Sequence, residues 1–158
     1  VEQASWLSLD VAPVGEQMVI EVLGDLYLLP ISGGVAQPLV QGMAFDSQPR
    51  FSPDGSQLVY LSDQDGSEEV WLLDLASLEK RKLTTTDDRI EMVSPTWSPD
   101  GLSIVVSQGS YDIGTYELWR YPIEGGAGVK ITKAKAKSDT PRNARNKAVG
   151  AVFDASGR

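Results

Sequence analysis

The chain has no cysteine and no histidine, and none of its apolar runs is long. The first absence excludes disulfides and thiolate metal sites, and it suits a reducing cytoplasm and a bacterial periplasm equally. The second excludes more. Histidine is the commonest general base near neutral pH and the commonest ligand of catalytic zinc, so Ser/His/Asp hydrolysis, Cys/His catalysis and His-based zinc chemistry each lack a required part. No stretch approaches the roughly 18 consecutive apolar residues of a membrane span, and no basic region leads into an apolar segment and cleavage site at the start. With 158 residues, 41% of them apolar and regularly broken by turn residues, one ordinary core in one domain is expected. The first residue is Val1, and the chain closes on Ser156-Gly157-Arg158, inside a repeat motif. It reads as a piece of a longer protein.

The net charge of −8 is unevenly spread: residues 1–119 hold 19 acids and 5 bases, residues 120–158 hold 3 acids and 9 bases. Lys130, Lys133, Lys135, Lys137, Arg142, Arg145 and Lys147 make a basic stretch of the kind that can meet nucleic acid or membrane. No aromatic residue lies between Pro122 and Val152 to stack on bases, and no recognition motif accompanies the charge. A solvated loop is expected, with no nucleic-acid partner.

What the chain does have is a repeat. Val11-Ala12-Pro13-Val14-Gly15, Phe51-Ser52-Pro53-Asp54-Gly55, Trp97-Ser98-Pro99-Asp100-Gly101 and Phe153-Asp154-Ala155-Ser156-Gly157 share one frame, with glycines spaced by 40, 46 and 56 residues. Proline fixes φ near −65° and Asp-Gly supplies a residue tolerant of positive φ, so each motif is a hairpin turn. An apolar run follows each of the first three: Met18-Val19-Ile20, Leu58-Val59-Tyr60-Leu61 and Ile104-Val105-Val106. A second run then has an aromatic at its third position: Asp25-Leu26-Tyr27, Glu69-Val70-Trp71 and Glu117-Leu118-Trp119. Short strands ending in Pro38-Leu39-Val40, Lys82-Leu83-Thr84 and Lys130-Ile131-Thr132 complete the units.

Four strands per unit of 40 to 50 residues cannot bury both faces alone, and radial stacking solves that. The expected fold is therefore all-β: a partial β-propeller of about three four-stranded antiparallel blades plus the start of a fourth. The blades are expected at residues 6–45, 46–92 and 93–148, with 149–158 opening the next. Gln108 to Tyr116 extends one hairpin of the third unit, and 134–149 extends its link to the next. Phe51, Trp97 and the set Trp6, Trp71, Trp119 and Tyr27 are expected between blades.

These units resemble the WD-type repeats of TolB-like propellers, found also in the tricorn protease and in prolyl-oligopeptidase-type peptidases. The string Gly42-Met43-Ala44-Phe45-Asp46-Ser47-Gln48-Pro49-Arg50-Phe51-Ser52-Pro53-Asp54-Gly55, with Trp6–Val11 and Leu23–Tyr27, resembles the propeller region that precedes the catalytic barrel in secreted bacterial amidohydrolases. The resemblance implies a periplasmic or secreted parent enzyme whose barrel holds divalent metals through a histidine set. No catalytic residue can be carried over to a chain without histidine, so this chain alone is expected to be non-catalytic and to hold no cofactor. Its partners would be a downstream catalytic domain or another protein, with its role in substrate access or protein interaction. A gating propeller of a peptidase, or a free-standing TolB-like interaction platform, is the alternative. A homodimer completing a ring of blades is a further expectation, because open blades expose strand edges and apolar faces.

Propeller geometry places a binding site at the channel mouth, where the chain enters the inner strands. Phe45, Asp46, Ser47, Gln48 and Arg50 in one unit, and Ile90, Glu91 and Ser94 in the next, are the candidates. Arg50 suits an ion pair with a neighbouring blade even better than a ligand. Asp63-Gln64-Asp65-Gly66-Ser67-Glu68-Glu69 has the alternating oxygen ligands of a calcium loop, but lacks the entering helix and full spacing, and a hairpin turn is expected. Asp87-Asp88 and the pairs Gly33-Gly34 and Gly125-Gly126 read as solvated loop and turns.

Overall fold

A computed structural model describes residues 7–110, 114–133 and 147–154. Among them are twelve strands in three antiparallel sheets, each ordered as in the chain. The first sheet is β1 (Leu9–Val11), β2 (Gln17–Val22), β3 (Asp25–Pro30) and β4 (Gln37–Val40); the second is β5 (Asp46–Phe51), β6 (Gln57–Ser62), β7 (Glu69–Asp74) and β8 (Lys80–Lys82). The third is β9 (Ile90–Trp97), β10 (Ser103–Ser110), β11 (Tyr116–Pro122) and β12 (Val129–Lys130). Strand β5 lies against both β1 and β9, so the three first strands form the inner wall and each sheet is a blade running outward. Trp6, residues 134–146 and the end of the fourth motif lie outside the described residues.

The middle blade shows why the apolar runs are continuous rather than alternating. On β6, Leu58 and Tyr60 join the core shared with the first blade, while Val59 and Leu61 join the core shared with the third. Trp71 and Leu73 on β7 turn to the first core, and Val70 and Leu72 to the second. Strands buried on both faces need apolar residues at every position, and each fully buried side chain of this kind contributes about 1.5–3 kcal/mol. Phe51 and Trp97 close the inner strands from inside the two cores, as the sequence implies, and the Trp97 indole N–H donates to the Arg50 carbonyl across the blades at 3.1 Å.

The two strict repeat motifs are turns locked by their own side chains. Ser52 N–H donates to Gln57 O and Gly55 N–H to Ser52 O, both at 2.9 Å, with Gly55 at φ 74°. Asp54 Oδ1 accepts from Ser52 Oγ (2.6 Å), Ser56 N (3.0 Å) and Ser56 Oγ (2.8 Å), and Ser52 Oγ accepts from Gln57 N (2.9 Å). The Ser98–Asp100 turn repeats the Ser–Asp bond at 2.5 Å, with Gly101 at φ 70°. The first copy has neither Ser nor Asp and keeps only main-chain closure, Ala12 N to Gln17 O at 3.0 Å.

One expected boundary moves. Residues 90–92, expected in the second blade (46–92), belong to the third, because β10 is eight residues long and draws out its partner: Ser110 pairs with Ile90 and Gly109 with Glu91.

Candidate functional site

Both β5 and β9 carry a bulge near their entry. The register of β5 on β6 shifts between Ser47 and Arg50, that of β9 on β10 between Val93 and Thr96. Gln48 and Ser94, 46 residues apart like the glycines of their motifs, sit inside these bulges with φ of 52° and 55°. A proline follows each, and a residue without an N–H costs no ladder bond in a bulge.

The bulge ties one blade to the next. Gln48 N–H donates to Ser8 Oγ (3.1 Å) and Glu21 Oε2 (3.2 Å), and Ser94 N–H donates to Gln48 Oε1 at 2.7 Å. Ser8 itself is hydrogen-bonded to Glu21. Ser8, Gln48 and Ser94 are one repeat position, and the next in frame is Gly150, which has φ 74° and donates its N–H to Ser107 Oγ at 3.0 Å. The acceptors also share a position, since Glu21, Leu61 and Ser107 are equivalent. Where that position is apolar Leu61, the Gln48 side chain supplies the missing acceptor.

Three of the expected mouth residues, Gln48, Arg50 and Ser94, are occupied in joining blades. The Arg50 guanidinium donates to Leu9 O at 3.0 Å and Pro49 O at 2.9 Å; its bond to the neighbouring blade is thus to a carbonyl, which replaces the expected ion pair as the observed link. It also lies toward the turn end of the inner strand, lining a cavity of about 290 Å³ with Asp10 and Pro53. Ser47 is buried, and the Glu91 carboxylate accepts from the Tyr116 hydroxyl.

Phe45 and Asp46 remain together at the entry end. The Phe45 N–H donates to Asp63 Oδ1 (2.7 Å), and its ring covers Gly24, where a Cβ would come within 2.9 Å of Phe45 Cδ2. Asp46 N–H donates to Gly24 O at 2.9 Å, and the residue as a whole is 2% exposed. Burial pushes the Asp46 carboxyl above the usual range, against the hydrogen bond to Ser62 and the charge of Lys80. Burial raises Glu68 likewise, with Glu91 and Asp63 adding repulsion. A groove of about 450 Å³ opens here, lined by Met43, Asp46, Asp63, Gln64 and Lys80 among others. Sequence reasoning missed Met43 and Lys80 as neighbours of Asp46, since Lys80 comes from β8, 34 positions along the chain.

The acidic segment 63–69 is a turn, Gly66 N–H donating to Asp63 O at 2.8 Å, and its carboxylates diverge. Asp63 takes Phe45 N, Asp65 pairs with Lys82 Nζ at 3.3 Å, and Glu68 accepts from Met92 N at 3.1 Å. Glu69, fully buried, accepts from Thr84 Oγ1 and Thr86 N, each at 2.5 Å. Among the described residues no three acids converge as a metal-holding group.

Comparison with known proteins places this architecture. The model of the TolB beta propeller domain matches residues 12–152. The chain is similar to the uncharacterized peptidase YuxL of Bacillus subtilis, 33% identical over 84 residues, which is 52% of this chain and 12% of that one. It is similar also to dipeptidyl-peptidase 5 of Porphyromonas gingivalis, 28% identical over 122 residues, or 70% of this chain and 17% of that protein. Among solved structures, a putative TolB from Agrobacterium tumefaciens superposes with a TM-score of 0.70 at 19% identity, covering 81% of this chain and 50% of the other. The chain therefore spans only a small part of the curated relatives it matches.

Proposed function

Because the chain belongs to the TolB beta propeller domain family, we propose that it is a non-catalytic propeller module of a larger hydrolase, shaping access to a catalytic domain or holding a protein partner. The observation that carries this reading is the use of its inner-strand polar groups: Gln48, Arg50 and Ser94 are bonded across blades. The described groove at Asp46 holds carboxylates and one lysine without a nucleophile–base pair of the kind catalysis needs. The string 42–55 supports an amidohydrolase parent and, with it, a periplasmic or secreted location. The similarity to YuxL and dipeptidyl-peptidase 5 favours a second parent, a peptidase. A His-x-His barrel in the parent sequence supports the first, and a Gly-x-Ser-x-Gly segment the second.

In the same reading, the stretch from residue 149 leads into a further blade, on the strength of Gly150 repeating the bulge position, although residues 147–154 form no strand here. A ring made of two copies competes with this placement, since the first strand of a second copy would need the same ground. The purified chain is expected to turn over no amide or ester substrate, with or without added divalent metal. Sustained metal-dependent hydrolysis by the chain would overturn the proposal.

A further inference from the structure

The β2–β3 hairpin of the first blade breaks a local rule. Its two turn residues, Leu23 and Gly24, both have positive φ, 56° and 85°. That is the turn for which Asn-Gly or Asp-Gly is the favoured pair. Leucine pays a steric cost at positive φ, and here no burial offsets it, for Leu23 is 89% exposed. The same hairpin of the second blade ends in polar Asp63-Gln64-Asp65-Gly66, so the repeat does not impose an apolar tip.

Leu23 has apolar company. The segment 42–46 is tied over this turn at both ends, by Gly42 N–H to Asp25 Oδ1 at 3.3 Å and Asp46 N–H to Gly24 O at 2.9 Å. From it project Met43, fully exposed, and Phe45, 54% exposed even with its ring over Gly24. Three large apolar side chains thus stand on two loops held together, and one of them, Met43, also lines the groove beside Asp46. Their surroundings are acidic on balance: Asp25, Asp63 and Asp65 belong to these loops and the adjoining hairpin, and Asp46 lies beside them, against Lys80 in the groove and Lys82 paired with Asp65. A strained leucine left 89% exposed by its neighbours among the described residues points to a partner beyond them.

We propose that Leu23, Met43 and Phe45 form a docking knuckle for a cationic protein segment with an apolar core, whose lysines or arginines meet the acidic rim. The inference rests on the reading of this chain as a partner-holding module and specifies where and what it holds.

The test uses fluorescence anisotropy with three labelled synthetic peptides. The first has a Leu-Phe-Leu core flanked by lysines, the second replaces the lysines with glutamates, and the third replaces the core with serines. The first is expected to bind the folded chain at physiological salt, and the other two about tenfold more weakly, the scale of losing one well-buried anchor. Leu23→Asn and Met43→Ser should each weaken the first peptide by about tenfold. Leu23→Asn should at the same time leave the melting temperature unchanged or raise it, because asparagine suits the turn. A knuckle is overturned if the serine-core peptide binds equally well, which would be plain charge attraction, if the substitutions leave binding unaltered, or if the first peptide does not bind. Hydrolysis by the chain would sink the non-catalytic reading without altering these affinities, so the two failures are distinguishable.

Discussion

Replacing Glu69 by alanine should be among the most damaging single changes in the second blade. Its carboxylate is fully buried at the start of β7 and accepts from Thr84 Oγ1 and Thr86 N at 2.5 Å and Thr86 Oγ1 at 3.2 Å, while Thr84 Oγ1 accepts from Val70 N at 2.9 Å. This network pins the chain leaving the outer strand to the strand before it. Hydrogen bonds to a charged group contribute about 1.5–3 kcal/mol each, and an abandoned buried donor costs about 1–3 kcal/mol. Part of that is returned because a desolvated carboxylate disappears with the side chain. The expected loss for Glu69→Ala is about 3 kcal/mol, and about 1 kcal/mol for Glu69→Gln, which keeps one acceptor. With a urea m-value of about 2 kcal/mol/M, the midpoint should fall by roughly 1.5 M for alanine. Equilibrium urea unfolding followed by tryptophan fluorescence reads this directly, and a cycle with Thr84→Val should give a coupling of about 1–2 kcal/mol. If alanine and glutamine differ by less than about 0.5 kcal/mol, the carboxylate is not the clamp described, and the reasoning fails.

The two bulges make opposite demands on Gln48 and Ser94. Gln48→Gly removes the acceptor of Ser94 N–H and should cost about 1 kcal/mol in the same titration, whereas Ser94→Gly at φ 55° should stay within about 0.5 kcal/mol of the parent. Trp97→Ala, which empties a site 7% exposed in the second core, should destabilise by about 3–5 kcal/mol in thermal or urea unfolding; a loss below about 1 kcal/mol would contradict the inter-blade packing. Stability should fall on the acid side as pH drops from about 4 to about 2: the Ser52 hydroxyl holds Asp54, and the Arg89 side chain holds Asp87, down to about 2, so their support is present above the unfolded carboxylate range and is lost as they protonate. Asp46, raised by burial, works in the opposite sense, its penalty appearing as pH rises through its folded value, so Asp46→Asn should raise the melting temperature at pH 7 more than at pH 3.

The repeat was legible because each residue of Phe/Trp-Ser-Pro-Asp-Gly answers a local backbone need that no distant contact has to supply. The doubly buried strands were legible for a related reason: Leu58–Leu61 and Val70–Leu73 contain no polar residue. The boundary near residue 90 was not, because the length of β9 is set by its partner β10, across a turn. The ties between and within blades were half visible. Ser8, Gln48 and Ser94 fall in one frame, and Glu69/Thr84 and Glu117/Thr132 share a separation of 15 residues. In the structure Thr132 Oγ1 donates to Glu117 Oε2 at 2.7 Å, as Thr84 does to Glu69. What no single copy reveals is the left-handed backbone at Gln48 and Ser94, because glutamine and serine before proline carry no composition signal for it. Topology alone places Phe45 and Asp46 at the mouth; Leu23 carries no such signal, because an apolar residue beside a glycine reads as the end of a strand.

The lengths of the connections indicate which end of the blades is free to serve a partner. Between the first and second strands there are five residues in every blade, 12–16, 52–56 and 98–102, and between the third and fourth there are six, five and six. At the opposite end the second-to-third hairpin has two, six and five residues, and the links between blades have five and seven. Closure at the turn end is fixed by the Ser-Pro-Asp-Gly geometry and by side chains bonded within the turn in the second and third blades, and by the main-chain bond Ala12 N to Gln17 O in the first, so length there is tied to the backbone. The other end closes through varied bonds, such as Phe45 N to Asp63 and Met92 N to Glu68, that accept different loop lengths without disturbing the inner strands. Loops released from the framework's requirements are where binding residues accumulate on a rigid scaffold. Leu23, Met43 and Phe45 all stand at that end, as does the groove beside Asp46, whereas the cavity at Arg50 lies toward the constrained one.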